Sequence, residues 1–167
     1  MIPLVPATQA LIFLLFVTPI CAWVIFTDLK YMKIRNHAVL ALLILFLLLG
    51  PIILPIESWL WRWWNAAVVL IIGLILHFLA GFGAGDVKFA AAATLFVPGS
   101  LEGLHLICLL LPVLTVAALL THRTARALPP LRRCAPDWVS WNRAEFPFGI
   151  PLAGTLWLSL MLGAFAR

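Results

Sequence analysis

Apolar residues form five long runs along the chain, and polar residues are confined to the short gaps between them. The runs cover roughly residues 4–27, 38–55, 64–82, 103–121 and 148–166. At about 1.5 Å of rise per residue, each run is long enough, or nearly so, to cross ~30 Å of hydrocarbon as a helix. Pro19 predicts a kink in the first run, and Pro51 with Pro55 closes the second. The first run lacks the preceding positive charge of a secretory signal, so we predict a retained helix.

A sixth apolar run, residues 87–101, is short and contains Pro98-Gly99. The positive-inside rule tests whether this run crosses the membrane. If the loop 28–37 is cytoplasmic and the sixth run crosses, nine of the eleven lysine and arginine residues lie in the cytoplasm. If it does not cross, the five arginines of the loop 122–147 lie outside. We therefore predict six transmembrane helices with both termini outside, and the arginine-rich loop as the only sizeable water-exposed segment.

The composition agrees with a membrane protein. The 167 residues are 65% hydrophobic and 10% charged, with a mean hydropathy of +1.14. A soluble domain of this length would need more polar surface, so we predict an all-α polytopic bundle that forms one transmembrane domain over residues 1–167. The net charge of +5 comes from the short basic gaps, which is typical of membrane orientation. The lipid bilayer is therefore an expected partner, and nucleic acid is not.

The spacing of cysteine and histidine gives no indication of a metal site or a disulfide framework. Cys21, Cys108 and Cys134 are scattered without a CxxC pair, and the four histidines show no metal-ligand spacing. We therefore expect no metal and no cofactor.

The loop 56–63, in which the charges of Glu57 and Arg62 cancel, is predicted to lie outside. The aromatic cluster WLWRWW, which ends at Trp64, is expected to anchor the outer membrane interface.

Two acidic residues are predicted to lie at the same membrane face. Asp28 ends the first predicted helix, after one crossing, and Asp86 opens the fourth, after three crossings. Both numbers are odd, so the two acids share a face whichever way the protein is inserted. Ionisable groups at membrane depth are costly and tend to mark function. Two solvated loop acids beside Lys30 and Lys88 are the alternative interpretation.

The surroundings of Asp86 favour a functional role. Gly81, Gly83 and Gly85 precede it, and residues without side chains let another backbone approach closely. Two carboxyl groups held together in a low dielectric titrate as a unit and share one proton. The ionised member can take a proton from water while the protonated member polarises a peptide carbonyl. The pair is therefore a candidate site for peptide hydrolysis.

Three segments of the chain resemble blocks of the type IV prepilin peptidase family, the bacterial GxGD membrane aspartic proteases. The segment DLKYMKIRN, residues 28–36, resembles the family's first block, with Arg35 in place of the usual proline. The segment GAGDVK, residues 83–88, matches the GxGDxK block in full. The segment FPFGIPLA, residues 146–153, resembles the start of the family's last helix. The similarity covers nearly the whole chain in the same helix order.

The resemblance implies a membrane aspartic endopeptidase with Asp28 and Asp86 as its catalytic pair. The positions that match the family's motifs, and would bind the substrate, are Gly83, Gly85, Lys88, Asn36, Pro147 and Gly149. The implied substrate is a prepilin or pseudopilin, made of a basic leader and an apolar helix. The leader would be removed at the cytoplasmic boundary of the bacterial inner membrane.

The resemblance also indicates a particular form of the family. Larger members carry an N-terminal zinc-binding CxxC…CxxC loop and N-methyltransferase activity, and this sequence has no such loop. It is therefore similar to the short, peptidase-only form that serves tight-adherence pili. Two hypotheses from other classes remain: a small proton-coupled transporter or channel subunit with both acids as a relay, and an assembly scaffold. The sequence does not indicate the oligomeric state.

Overall fold

The computed structural model describes residues 7–165, and this part of the chain is helical without β-strands. The α-helices are α1 (Ala7–Tyr31), α2 (Asn36–Ile53), α3 (Ile56–Ala80), α4 (Ala84–Thr94), α5 (Leu101–Ala127), α6 (Pro129–Cys134) and α7 (Gly149–Phe165). Helices α1, α2, α3 and α5 are long and apolar enough to span a membrane, and α7 is a shorter apolar helix. The predicted all-α polytopic fold is confirmed. Residues 4–6 of the first predicted run and residue 166 of the last lie outside the described residues.

Helices α3 and α5 extend furthest beyond the predicted runs. Helix α3 begins at Ile56, directly after Pro55, and not at residue 64. The WLWRWW cluster is therefore helical, whereas the prediction placed most of it in an outer loop. Helix α5 continues to Ala127, past the predicted end at residue 121. A helix can continue past its apolar run in this way because its backbone hydrogen bonds are internal to the segment.

The helix ends are shaped by local backbone geometry. Met32 directly follows α1; its φ of 54° is left-handed, and its N–H donates to the carbonyl of Asp28 over 2.8 Å. Gly81 directly follows α3 and has a φ of 71°, a conformation that costs glycine little. Pro19 and Pro51 lie inside α1 and α2, so α2 continues past Pro51 instead of closing there.

Arg35 stands where the resemblance leads one to expect proline. It caps the start of α2 with a φ of −78° and a ψ of 137°. Proline adopts the same extended conformation, so the arginine preserves the backbone path of this turn. Its guanidinium lies 4.9 Å from the centroid of the Tyr31 ring, a cation–π contact that proline could not make.

The chain returns across the bundle between Asp86 and Leu101 with an unusually short helix. Helix α4 has 11 residues, which corresponds to about 16 Å, roughly half of the hydrocarbon thickness. Turns complete the crossing, and Phe96 to Pro98 lie beside Ala10 and Leu160. Those two residues are far along α1 and α7 from the end of the bundle that carries Asp28. The predicted run 87–101 therefore leads from one end of the bundle toward the other, although only its first half is helical, and its crossing of the membrane stays a prediction.

The helices pack through a central aromatic cluster and through small residues. Phe13 of α1, Phe46 of α2 and Phe96 are fully buried, with ring centroids 5.3 to 6.1 Å apart. Gly73 of α3 has no side chain where Val87 of α4 packs against it. Such close contacts drive helix association in lipid, where the hydrophobic effect between helices is absent. Helices α3 and α5 lie at the periphery and leave most of their apolar surface exposed.

Arg62 connects α3 to the far end of α4. The prediction placed this arginine in an outer loop, but it is 6% exposed and lies inside α3. Its Nη1 donates to the carbonyl of Leu95 over 3.1 Å. This carbonyl follows the last residue of α4, where the negative end of the helix dipole also favours a cation. The contact holds the short helix in place.

We expect Arg62→Ala to destabilise the folded protein by about 2 kcal/mol, because the buried carbonyl of Leu95 loses its donor. Thermal unfolding in detergent measures the change. Arg133→Ala, on the exposed α6, is the matched control and is expected to unfold like the wild type. An Arg62→Ala protein with unchanged unfolding would contradict this role.

Candidate functional site

An open pocket of about 630 Å³ lies at the end of the bundle that carries both acids, and we call it the acid pocket. Four parts of the chain form it. They are the end of α1 with the turn into α2, the first residue of α2, the residues from Gly81 into the first turns of α4, and the segment before α7. The residues that line it are Asp28, Met32, Lys33, Ile34, Asn36, Gly81, Gly83, Ala84, Gly85, Asp86, Lys88, Arg143, Glu145, Phe146 and Phe148. Two acids that are 58 positions apart in the chain therefore border one cavity.

Asp28 lies in the last turn of α1 and is only 4% exposed. Its Oδ2 accepts a hydrogen bond of 2.6 Å from the backbone N–H of Gly149, the first residue of α7. The N-terminus of a helix carries partial positive charge, so this contact stabilises a carboxylate. A Cβ added at Gly149 would lie 2.8 Å from this same oxygen. Only glycine lets α7 approach Asp28 so closely.

Asp86 lies in the first turn of α4 and is partly exposed to the acid pocket. A Cβ added at Gly83 would lie 2.5 Å from Asp86 Oδ2, so this glycine too makes room for a carboxyl group. Gly85 lies against the backbone of Ile34, whose carbonyl would be 3.2 Å from an added Cβ. Burial and, as the smaller cause, the negative charge of Asp28 together raise the pKa of Asp86 to about 6.

The structure brings most of the predicted site residues together. Asp28, Asp86, Gly83, Gly85, Lys88 and Asn36 all line the acid pocket. Pro147 and Gly149 do not line it: both are buried, and Gly149 contacts Asp28 through its backbone N–H. Their predicted role in binding the substrate stays a prediction.

Several residues of the pocket lining did not stand out in the sequence. Met32 and Lys33 follow α1, and Arg143 with Glu145 belongs to the loop that was predicted to be water-exposed. Phe146 and Phe148 belong to the FPFGIPLA segment, which offered the only signal for this side of the pocket. The loop is also less open than predicted, since Ser140 and Trp141 in it are buried.

The fold and the pocket define a multi-pass membrane protein with a pair of acids at one end of its helix bundle. A family model described as the type IV leader peptidase family matches residues 12–122, which are 111 of the 167 residues. The chain belongs to this family, as the sequence motifs predicted. No curated protein and no solved structure gives a significant match. At family level the protein is therefore a leader peptidase-like membrane protein.

Proposed function

We propose that the protein is a membrane aspartic endopeptidase that removes the basic leader peptide from prepilins or pseudopilins. The observation that carries the proposal is the placement of Asp28 and Asp86, from two different helices, on one open pocket. Membership of the leader peptidase family supports the reaction class. A carboxyl pair can activate water directly, so the reaction needs no nucleophilic side chain.

In the proposed mechanism Asp28 is the base and Asp86 is the acid. The hydrogen bond from Gly149 and the positive end of α7 favour a charged Asp28, which takes a proton from the attacking water. Asp86, with its pKa raised to about 6, carries the shared proton and donates it toward the peptide carbonyl. The water oxygen bonds to the carbonyl carbon. The C–N bond then breaks as the leaving amine takes up the proton that Asp28 received from water, and Asp86 regains its proton as the new carboxyl group forms.

The acid pocket has features that suit an extended peptide. Gly83 and Gly85 leave space beside Asp86 for a substrate backbone, and Asn36 and Lys88 are exposed at the same cavity. Glu145 adds a third acid to the lining, which also carries three basic residues, so acids and bases are equal in number around the cavity. Pro147 and Gly149 are proposed to support this cleft from behind Asp28.

We propose that the acid pocket faces the cytoplasm, at the inner membrane of a bacterial cell. Lys30, Lys33, Arg35 and Lys88 lie at the same end of the bundle as the pocket, and the positive-inside rule places such residues in the cytoplasm. A basic leader in the cytoplasm would then meet the pocket where its apolar helix enters the membrane. Tight-adherence pili are the proposed setting.

The alternative is a small proton-coupled transporter or channel subunit with the same two acids as a relay. Such a protein is expected to place its acids near the membrane midplane, between pseudo-symmetric halves. In this protein Asp28 lies in the last turn of α1 and Asp86 in the first turn of α4. The peptidase is therefore the better-supported proposal.

The purified protein is expected to release the leader of a candidate prepilin in detergent, where no ion gradient exists. The rate should fall about tenfold per pH unit above a pH of about 6, because the protonated fraction of Asp86 falls as the pH rises. A gel-shift assay at a series of pH values measures both effects. Leader release that requires a gradient, or a rate that rises above this pH, would contradict the mechanism.

A further inference from the structure

The segment between α6 and α7 packs through a row of stacked aromatic rings. Trp138 stacks on Trp141 with centroids 5.5 Å apart, and Trp141 stacks on His122 at 5.4 Å with an interplanar angle of 13°. His122 in turn meets Phe146 edge to face at 6.0 Å. At the other end of the row, Trp138 meets Phe26 of α1 at 6.5 Å. The row therefore connects α1 with α5 through the segment that precedes α7.

His122 occupies the middle of this row and is 6% exposed. Its Nε2 is buried and has no hydrogen-bond partner among the described residues. A buried histidine without a partner at this nitrogen contributes mainly through the faces and edges of its ring. Stacking is therefore its main interaction with the segment.

A second side chain from α5 contacts the same segment. Arg126 lies four residues after His122, so both side chains project from one face of the helix. Its Nη1 donates to the carbonyl of Arg143 over 2.9 Å. One face of α5 thus holds the segment at two points, through a stacked ring and through a hydrogen bond.

The segment held in this way is one side of the acid pocket, and we call residues 138–148 the pocket wall. Glu145, Phe146 and Phe148 of the pocket wall line the cavity. The wall leads directly into Gly149, whose N–H bonds to Asp28. Neither His122 nor Arg126 lines the cavity, so both act on it through the wall.

We propose that His122 and Arg126 are positioning residues that fix the pocket wall against the substrate peptide. The inference rests on the proposed peptidase function. If the wall is fixed from behind, its loosening weakens peptide binding, while Asp28, Asp86 and Gly149 stay in place because they belong to α1, α4 and α7 and not to the wall. The Michaelis constant should then change far more than the turnover number.

The test uses the full-length protein and a candidate prepilin. His122→Ala is expected to raise the KM for the prepilin about tenfold and to leave kcat within about twofold. Its near-UV circular dichroism should lose intensity from the stacked Trp138 and Trp141. His122→Phe keeps a flat ring and should restore both the KM and the spectrum. His105→Ala, an exposed position on the same helix, is the control and should match the wild type.

Three results would overturn the proposal. In the first, the wild type is active and His122→Ala has the same KM as the wild type. The second is a His122→Phe variant as impaired as His122→Ala, which would show that the ring stacking is not what matters. Arg126→Ala tests the same wall without emptying a buried position and is expected to raise KM about threefold. The third result is an unchanged KM in this variant. An inactive wild type with the normal tryptophan spectrum would count instead against the peptidase function.

Discussion

Asp28→Asn and Asp86→Asn are each expected to lower the rate of leader removal by ~10³-fold or more, without preventing membrane insertion or folding. Each substitution removes one of the two ionisable groups at the acid pocket, so no proton can be shared and no water activated. An asparagine at position 28 can still accept the N–H of Gly149 through its amide oxygen, so the packing of α7 should survive. Co-expression with a candidate prepilin, followed by a gel shift, measures the loss.

Asp137→Asn is the matched control for these variants. Asp137 is an exposed acid outside the lining of the acid pocket, and its variant should process the prepilin like the wild type. Size-exclusion chromatography of all three variants in detergent checks that the protein is folded. Complete processing by either Asp28→Asn or Asp86→Asn would end the two-acid mechanism.

Gly149→Ala is expected to lower kcat about 100-fold. The new methyl group would lie 2.8 Å from Asp28 Oδ2 and 3.0 Å from the Cβ and Cγ of the same side chain. A Cβ atom almost never lies this close to other heavy atoms, so either the carboxyl group or the start of α7 must shift by several tenths of an ångström. Displacements of about 1 Å in a reacting group can cost a factor of 100 in rate. Steady-state kinetics on the purified variant measures the effect.

Gly154→Ala provides the comparison on the same helix. A Cβ at this position would have its nearest neighbour, Leu114 Cδ1, at 3.5 Å, which is ordinary van der Waals contact. Its kcat should stay within about twofold of the wild type. If Gly149→Ala and Gly154→Ala were equally active, the contact between α7 and Asp28 would have no part in the reaction.

The sequence predicted that Asp28 and Asp86 lie at the same face of the protein, because one predicted crossing precedes the first acid and three precede the second. Long apolar runs make this count reliable in a membrane protein, where the backbone must satisfy its own hydrogen bonds. The weakest run, residues 87–101, follows Asp86 and does not enter this count; the distribution of basic residues predicted it as a crossing, which decides the side on which the loop 122–147 lies. Its actual form, a short helix completed by turns, could not be read from apolar length alone.

The pocket wall and Arg62 show what sequence patterns leave out. Residues 138–148 look like a polar loop because their tryptophans and Phe146 follow no helical period, and their packing depends on His122, which is remote in the chain. Arg62 looks like an interfacial charge because its partner is a backbone carbonyl, which has no sequence signature. Both cases depend on tertiary contacts that periodicity does not encode.

The hydrogen bond from Gly149 to Asp28 joins positions 121 residues apart. During synthesis α1 leaves the ribosome first, and α7 is the last of the described helices to emerge. Asp28 therefore gains its backbone donor, and the cavity gains one of its sides, only when translation of these helices is nearly finished. A truncated chain released before that point would present the membrane with two acids but without the assembled site.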